Sequence, residues 1–194
     1  MQDILAGVRV LDLGQYIAAP AAGQRLADLG AEVIKIEPPG GEQARAGGRF
    51  GEAMVRAYNR GKRGLVLDLR HPVGREALDR LLHSCDVLIH NMKSGSDKRL
   101  GIDGDRIQSR HPHVVCGQVG GFGRIDNTYS RLALDIAAQA EFGIMHATGE
   151  EGAPRSGWGS RRWTSPQPPR SQRAFSPRSS AGGEPARVRG CGHR

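Results

Sequence analysis

The segment from Gly7 to Gly41, GVRVLDLGQYIAAPAAGQRLADLGAEVIKIEPPGG, constrains the fold more than any other, because a β-branched run, a helical stretch and a second β-branched run follow one another directly. Val8 to Leu13 is apolar at most positions, the pattern of a strand buried on both faces of a parallel sheet. The helix is expected to take Pro20 at its first position, where a missing N–H costs nothing, to bury Ala22, Leu26 and Leu29, and to stop at Gly30. Ala31 to Glu37 is then a second strand, closed by Pro38, Pro39, Gly40 and Gly41. Two parallel strands joined through a helix make a right-handed crossover, and ligands of such sheets bind beyond the carboxyl ends of the strands. The loop from Gly14 to Ala19 lies at that edge.

An acidic residue at the end of the second strand, here Glu37, is what a dinucleotide-binding unit uses to hold a ribose hydroxyl. Such a unit also needs a Gly-x-Gly-x-x-Gly turn so that the pyrophosphate can approach the backbone, and this turn, Gly14-Gln-Tyr-Ile-Ala-Ala-Pro20, has one glycine. A nicotinamide cofactor is not expected. The strand and helix pattern then repeats: strand Leu65 to Leu69, helix from His71-Pro72 with Leu78, Leu81 and Leu82 on one side, strand Asp86 to His90. A short helix from Asp103 to Arg110, a strand from Val114 to Val119 and a glycine turn at Gly120 to Gly123 follow. A last helix, Leu132 to Ala147, sets Ile136, Ala140 and Ile144 in register. Glu42 to Gly61 and Asn91 to Gly101 read as loops. The alternation calls for an α/β fold, a Rossmann-like parallel sheet with flanking helices, here incomplete. Loops 14–19, 70–71 and 91–99 then gather at one edge with Arg70 and Arg99, a seat for a phosphorylated ligand.

The net charge of +8 and pI near 10.1 would suggest an anionic partner, but the charge is not spread along the chain. Residues 1–154 hold 19 basic and 19 acidic side chains, and residues 155–194 hold nine Arg against one Glu. No apolar run is long enough to span a membrane and no signal segment opens the chain, so a cytoplasmic protein is expected. Cys85, Cys116 and Cys191 have no paired spacing, which fits reduced thiols. His111 and His113 have no partner ligands nearby in sequence and read as loop residues, and no metal site is expected.

Read in order, the block from Leu5 to Gly41, YNRGKRGLVLDLRHPVGREALDRLL, DVLIHNMKSG, RLGI and LDIAAQAEFGIMHATGEEGAP resemble the amino-terminal part of the family III coenzyme A transferases, over Leu5 to Pro154. That family includes formyl-CoA transferase and the α-methylacyl-CoA racemases. The resemblance implies that residues 1–154 begin a CoA-binding domain and that coenzyme A or acyl-CoA is a substrate, with no permanently bound cofactor. Tyr16, Ile17 and Ala18 match the loop that touches pantetheine and adenine. Leu67 and Arg70 match adenine and phosphate contacts, Asn91 and Met92 the pair after the next strand, and Arg99 a phosphate-binding arginine. Two places depart from the pattern: Asn59-Arg-Gly-Lys62-Arg63 stands where the family often has Asn-x-Asn-Lys-Arg, and Pro38 where one subgroup has a basic residue. The resemblance further implies an acyl-CoA and a carboxylic acid as reaction partners and an interlocked homodimer.

In the family the nucleophile is an aspartate in a Val-Gly-x-x-x-x-Asp-Leu-x-Thr block after a Glu-Gly-x-Pro turn, and it carries CoA as an aspartyl thioester. This chain reaches Glu151-Gly-Ala-Pro154 and then has no aspartate at all. Residues 155–194 have no Lys, Leu, Ile or Met and are rich in Arg, Ser, Pro and Gly, the composition of a disordered tail. The genetic code gives a sharper expectation. Trp163-Thr164 must be encoded by TGGAC, and the frame that starts at the third base reads GAC, aspartate. With Ser as TCN, that frame turns Trp158 to Ser165 into an aliphatic, Gly, four residues, Asp and an aliphatic, which is the absent block. The expected enzyme is a truncated CoA-transferase, its tail a shifted reading frame and its own activity lost. One alternative is a racemase of the same family, which uses a His before the aspartate of the last helix, where this chain has Leu134 before Asp135. Another is a nucleic-acid-binding protein using the Arg-rich tail with Trp158, Trp163 and Phe175, which accidental GC-rich translation disfavours.

Overall fold

The computed structural model describes residues 3–93, 95–121 and 135–147, and the chain divides into two compact units, 1–135 and 136–194. In the first unit strands and helices alternate: β1 (Arg9–Asp12), α1 (Ala18–Asp28), β2 (Glu32–Glu37), a 3-10 turn (Gln43–Gly47), α2 (Gly48–Asn59) and β3 (Arg63–Val66). Then come α3 (Pro72–Leu82), β4 (Val87–His90), α4 (Ser96–Leu100), α5 (Gly104–Arg110) and β5 (Val115–Gln118). All described strand pairings are parallel, in the order β3-β2-β1-β4-β5. This is the expected Rossmann-like α/β sheet, with β1 at the point where the strand order reverses.

Successive side chains of a strand point to opposite faces, and β1 shows what that does for the core. Val10 joins Ala31, Val33 and Ile89 on the face covered by Ala22 and Leu26 of α1. Leu11 joins Ile36, Leu88, Leu78 and Leu82 of α3 and Ile107 of α5 on the other. Full burial of each such leucine is worth about 1.5–3 kcal/mol.

The element limits differ from the sequence expectation in instructive ways. Helix α1 starts at Ala18, two residues before Pro20, and Leu29 lies past its end and outside the buried face; Gly30, at φ +95°, does stop it. Strand β3 covers Arg63–Val66 because those residues pair with Ile34–Glu37 of β2; the chain then turns, and Leu67 and Leu69 leave the strand. The expected loop at 42–61 is a 3-10 turn followed by α2, which buries Gly51 and Val55. Glycines 47, 48 and 51 disguised it. The expected loop at 91–101 likewise contains α4.

Helix α3 starts where expected, with His71 Nδ1 accepting from Val73 N–H at 3.3 Å. Its Gly74 packs against the preceding loop so closely that a methyl group there would overlap the Asp68 carbonyl oxygen. Alanine normally strengthens a helix interior over glycine by about 1 kcal/mol. Gly74→Ala is nevertheless expected to destabilise by roughly 1–3 kcal/mol, since a backbone carbonyl cannot step aside as a flexible side chain does. Urea denaturation monitored by circular dichroism measures this, and an unchanged or raised midpoint contradicts it.

The described residues of the second unit lie in α6 (Asp135–Glu141), which begins at the unit boundary, and α7 (Ile144–Ala147). The single helix expected over Leu132 to Ala147 is thus broken, at Gly143 with φ +74°. Ile136, Ala140 and Ile144 do not form a common buried face: Ile136 is 53% and Ile144 44% exposed, and Ala140 is exposed as well. Leu132 to Leu134 and the end of the Gly120 to Gly123 turn lie outside the described residues. No helix among the described residues is long and apolar enough to cross a membrane.

Candidate functional site

The carboxyl ends of the strands open on a cleft of about 360 Å³. Its wall is made by Leu13, Gly14 and Gln15 leaving β1, Glu37 and Pro38 leaving β2, and Leu67, Asp68, Leu69 and Arg70 leaving β3. Met92 after β4 and Ser96, Arg99 and Leu100 of α4 complete it. This is the edge that the crossover pattern selects.

Of the eight residues expected to contact a ligand, Leu67, Arg70, Met92 and Arg99 line the cleft. Arg70 comes from the β3–α3 turn and Arg99 from α4, so two cations far apart in sequence share one cavity. Each guanidinium has a local partner: Arg70 Nε donates to Asp68 Oδ1 at 3.1 Å, and Arg99 Nη2 to Ser96 Oγ at 2.9 Å. The Arg70 guanidinium, then its backbone N–H, hold the Asp68 carboxyl below the usual carboxylate range. The Arg70 side chain is largely exposed, so this pair yields readily to another anion.

The other four residues are not part of the cleft wall. Tyr16, Ile17 and Ala18 are exposed on the loop leading into α1, and the Tyr16 hydroxyl donates to Gln43 Oε1 at 3.3 Å. Asn91 instead clamps that loop. Its Oδ1 accepts from Gln15 N–H and its Nδ2 donates to the Gln15 carbonyl, both at 2.8 Å. The clamp sits beside Tyr16, which has φ +60°, a left-handed conformation that costs a non-glycine residue roughly 1–2 kcal/mol. A strained turn persists where its neighbours hold it, and here both polar groups of Gln15 are held.

Below the loop lies a layer of buried charge that the sequence expectation missed. Asp12 Oδ1 accepts from Gly14 N–H at 2.7 Å, and Asp12 Oδ2 pairs with Lys62 Nζ at 2.7 Å. Lys62 also donates to the Pro20 carbonyl at 2.8 Å and to Asn59 Oδ1 at 3.0 Å. Burial pulls its pKa down while the Asp12 carboxylate opposes the shift. A Cβ at Gly23 would stand 2.6 Å from Asp12 Oδ2, so α1 needs a residue without a side chain where it passes over this pair. Lys35 donates to the Gly14 carbonyl and to Glu42 Oε2, the latter at 3.0 Å. Both backbone groups of Gly14 are therefore fixed by buried charges. The available signal was a charged residue inside an apolar strand, Asp12 in RVLD and Lys35 in EVIKIE.

Glu37, which invited the dinucleotide comparison, is engaged elsewhere. Arg45 Nε and Nη2 donate to its two oxygens at 2.8 and 2.7 Å, and this hydrogen-bonded guanidinium holds its carboxyl below the ordinary range. Burial, aided by the Asp86 charge, pushes the Cys85 thiol up to about 11 and keeps it protonated at neutral pH, the opposite of an activated nucleophile. Trp163 and Thr164, where the shifted frame would read aspartate, lie outside the described residues.

Residues 5–163 match the family model of CoA-transferase family III. The chain is 38% identical over 157 residues to the succinate–glutarate CoA-transferase of Agrobacterium fabrum, an alignment covering 75% of this chain and 39% of that protein. It is 36% identical over 159 residues to the formyl-CoA:oxalate CoA-transferase of Streptomyces avermitilis, covering 79% and 38%. The crystal structure of a hypothetical protein from Mycobacterium tuberculosis superposes with a TM-score of 0.72 at 34% identity, over 80% of this chain and 44% of that one. The chain thus spans about two fifths of the length of the curated relatives it matches.

Proposed function

Since the chain belongs to CoA-transferase family III, we propose that its cleft receives the nucleotide end of coenzyme A, and that the frame-intact protein moves CoA between an acyl-CoA and a carboxylic acid. The observation that supports this most is the meeting of Arg70 and Arg99 at the carboxyl edge of the sheet. A guanidinium binds phosphate as a planar fork, and Leu67 and Met92 offer the flat, polarisable contact that adenine takes. The cleft volume is near the lower limit for a drug-sized ligand. It suits the nucleotide end, with pantetheine running outward past Tyr16, Ile17 and Ala18. In this reading Asn91 acts on the ligand indirectly, through the Gln15 turn it holds.

The same proposal places a shift of reading frame shortly after Pro154. Its supports are the change from balanced to basic composition and the GAC that Trp163-Thr164 forces in the neighbouring frame. The intact enzyme would use an aspartyl-CoA thioester, work as an interlocked homodimer in the cytoplasm and carry no permanent cofactor.

Binding tests the cleft directly. Calorimetric titration of the 194-residue chain with CoA is expected to show weak binding that falls as salt is raised. Losing hydrogen bonds from a charged donor costs about 1.5–3 kcal/mol, so Arg99→Ala should weaken CoA binding by roughly tenfold or more and flatten the salt dependence. Arg70→Ala should do less, because Arg70 must first leave Asp68. Saturable CoA binding that ignores both substitutions would overturn the assignment of the cleft.

A further inference from the structure

At the opposite edge of the sheet, where α3 ends and the chain enters β5, three side chains with metal-ligating atoms come together. Asp79 lies on α3, His83 caps its end one turn later, and His111 caps α5; one ligand atom from each lies within 4.8 Å of the others. We propose that Asp79, His83 and His111 bind one divalent transition-metal ion of the zinc class, with water completing its shell, at a site separate from the coenzyme cleft.

The donor types come first. Two imidazoles and one carboxylate suit zinc, cobalt or nickel far better than magnesium or calcium. Zinc bonds of about 2.0–2.1 Å in a tetrahedron put neighbouring ligand atoms about 3.3 Å apart. Asp79 Oδ1 and His111 Nε2 already stand 2.9 Å apart. Closing the set therefore asks for side-chain rotation and no movement of the backbone.

Protonation of the rings points the same way. His83 Nδ1 lies 2.7 Å from the Asp79 carbonyl oxygen, and a carbonyl only accepts, so Nδ1 carries the proton and Nε2 keeps its lone pair. A ring anchored through one N–H to a backbone carbonyl is how metal-binding histidines are commonly oriented. The His111 side chain is only 3% exposed, and its Nδ1 has no hydrogen-bond partner. A plain structural histidine so deeply buried would normally engage both nitrogens. The two rings meet edge to face with centroids 4.7 Å apart.

The neighbouring groups leave room for the ion. Arg110 Nη2 is 3.1 Å from Asp79 Oδ2, which assigns Oδ2 to the guanidinium and Oδ1 to the metal. His113 donates through Nε2 to the Leu82 carbonyl at 3.2 Å and stands outside the set, its ring 6.2 Å from that of His111. A bound ion would tie the end of α3 to the turn that leads into β5, and protons would compete for the imidazoles as the pH falls.

Titration of the chelator-treated 194-residue chain with Co²⁺, then Zn²⁺, tests this. Expected are one Co²⁺ per chain with visible d–d absorption, displacement by Zn²⁺, and a melting temperature raised by Zn²⁺. His83→Ala, at an exposed position, should weaken Co²⁺ binding by at least about tenfold and remove the melting shift, as should Asp79→Asn. His113→Ala should leave both unchanged. Absence of a saturable Co²⁺ spectrum, or a spectrum that His83→Ala and Asp79→Asn leave intact, overturns the proposal.

Discussion

Replacing Lys62 by methionine is expected to destabilise the fold by about 3–5 kcal/mol, the cost of leaving one charge of a buried pair uncompensated. The Lys62 and Asp12 side chains are 1% and 0% exposed, so solvent cannot substitute for the lost ammonium. Asp12 would keep one hydrogen bond, from Gly14 N–H, and Asn59 Oδ1 and the Pro20 carbonyl would each lose a donor. A typical domain is stable by only 5–15 kcal/mol, so the single change removes a large share. The double variant Asp12→Leu with Lys62→Met should recover part of the loss, because an apolar pair of similar volume leaves no stranded charge. Urea denaturation of the three proteins decides it. A single variant within about 1 kcal/mol of the parent would mean that Asp12 finds another partner or a proton.

The second large effect concerns catalysis, and it follows from the proposed frame shift. The purified 194-residue chain is expected to show no acyl-CoA-dependent CoA transfer, while the protein translated with the frame restored after Pro154 should be active. In the reaction the aspartate carboxylate attacks the thioester carbonyl, CoA leaves as the thiolate, and an aspartyl–acyl anhydride forms. The thiolate then attacks the aspartyl carbonyl, releasing the first acid and leaving an enzyme thioester that the second acid resolves through another anhydride. Without the nucleophile nothing holds CoA covalently, and losing one commonly costs on the order of a million-fold in kcat. Mass spectrometry after incubation with acyl-CoA should show a CoA adduct on the restored protein alone, lost again when its new aspartate becomes asparagine. An adduct on the short chain, or an early stop codon in the restored frame, would prove the proposal wrong.

What the sequence made legible was whatever depends on local pattern. The apolar runs of β1, β2 and β4 and the leucine face of α3 need no knowledge of distant neighbours, and they fall close to their expected limits. Helix α2 was hidden because Gly51, which looks like a helix breaker, is there to let α2 close against Ala44. The cleft was legible to the extent that topology alone gathers strand ends. Arg70 and Arg99 were found, but the clamp formed by Asn91 on Gln15, 76 residues away, is a contact that only the finished sheet creates. The same holds for Asp12 with Lys62, and for His111, whose partners Asp79 and His83 lie on another helix.

The strand order has a consequence for how the chain is made. Strand β1 pairs first with β2, which follows it directly, and β3 extends the same side; β4 and β5 later add to the other side. Every described pairing is complete by Gln118, and no strand waits for a partner encoded beyond it. Domains tend to fold from the amino terminus as they leave the ribosome. The five-stranded sheet and its cleft can therefore assemble before the residues after Pro154 emerge, so a translational error there alters what is appended to a nascent domain whose strand partners have already been synthesised.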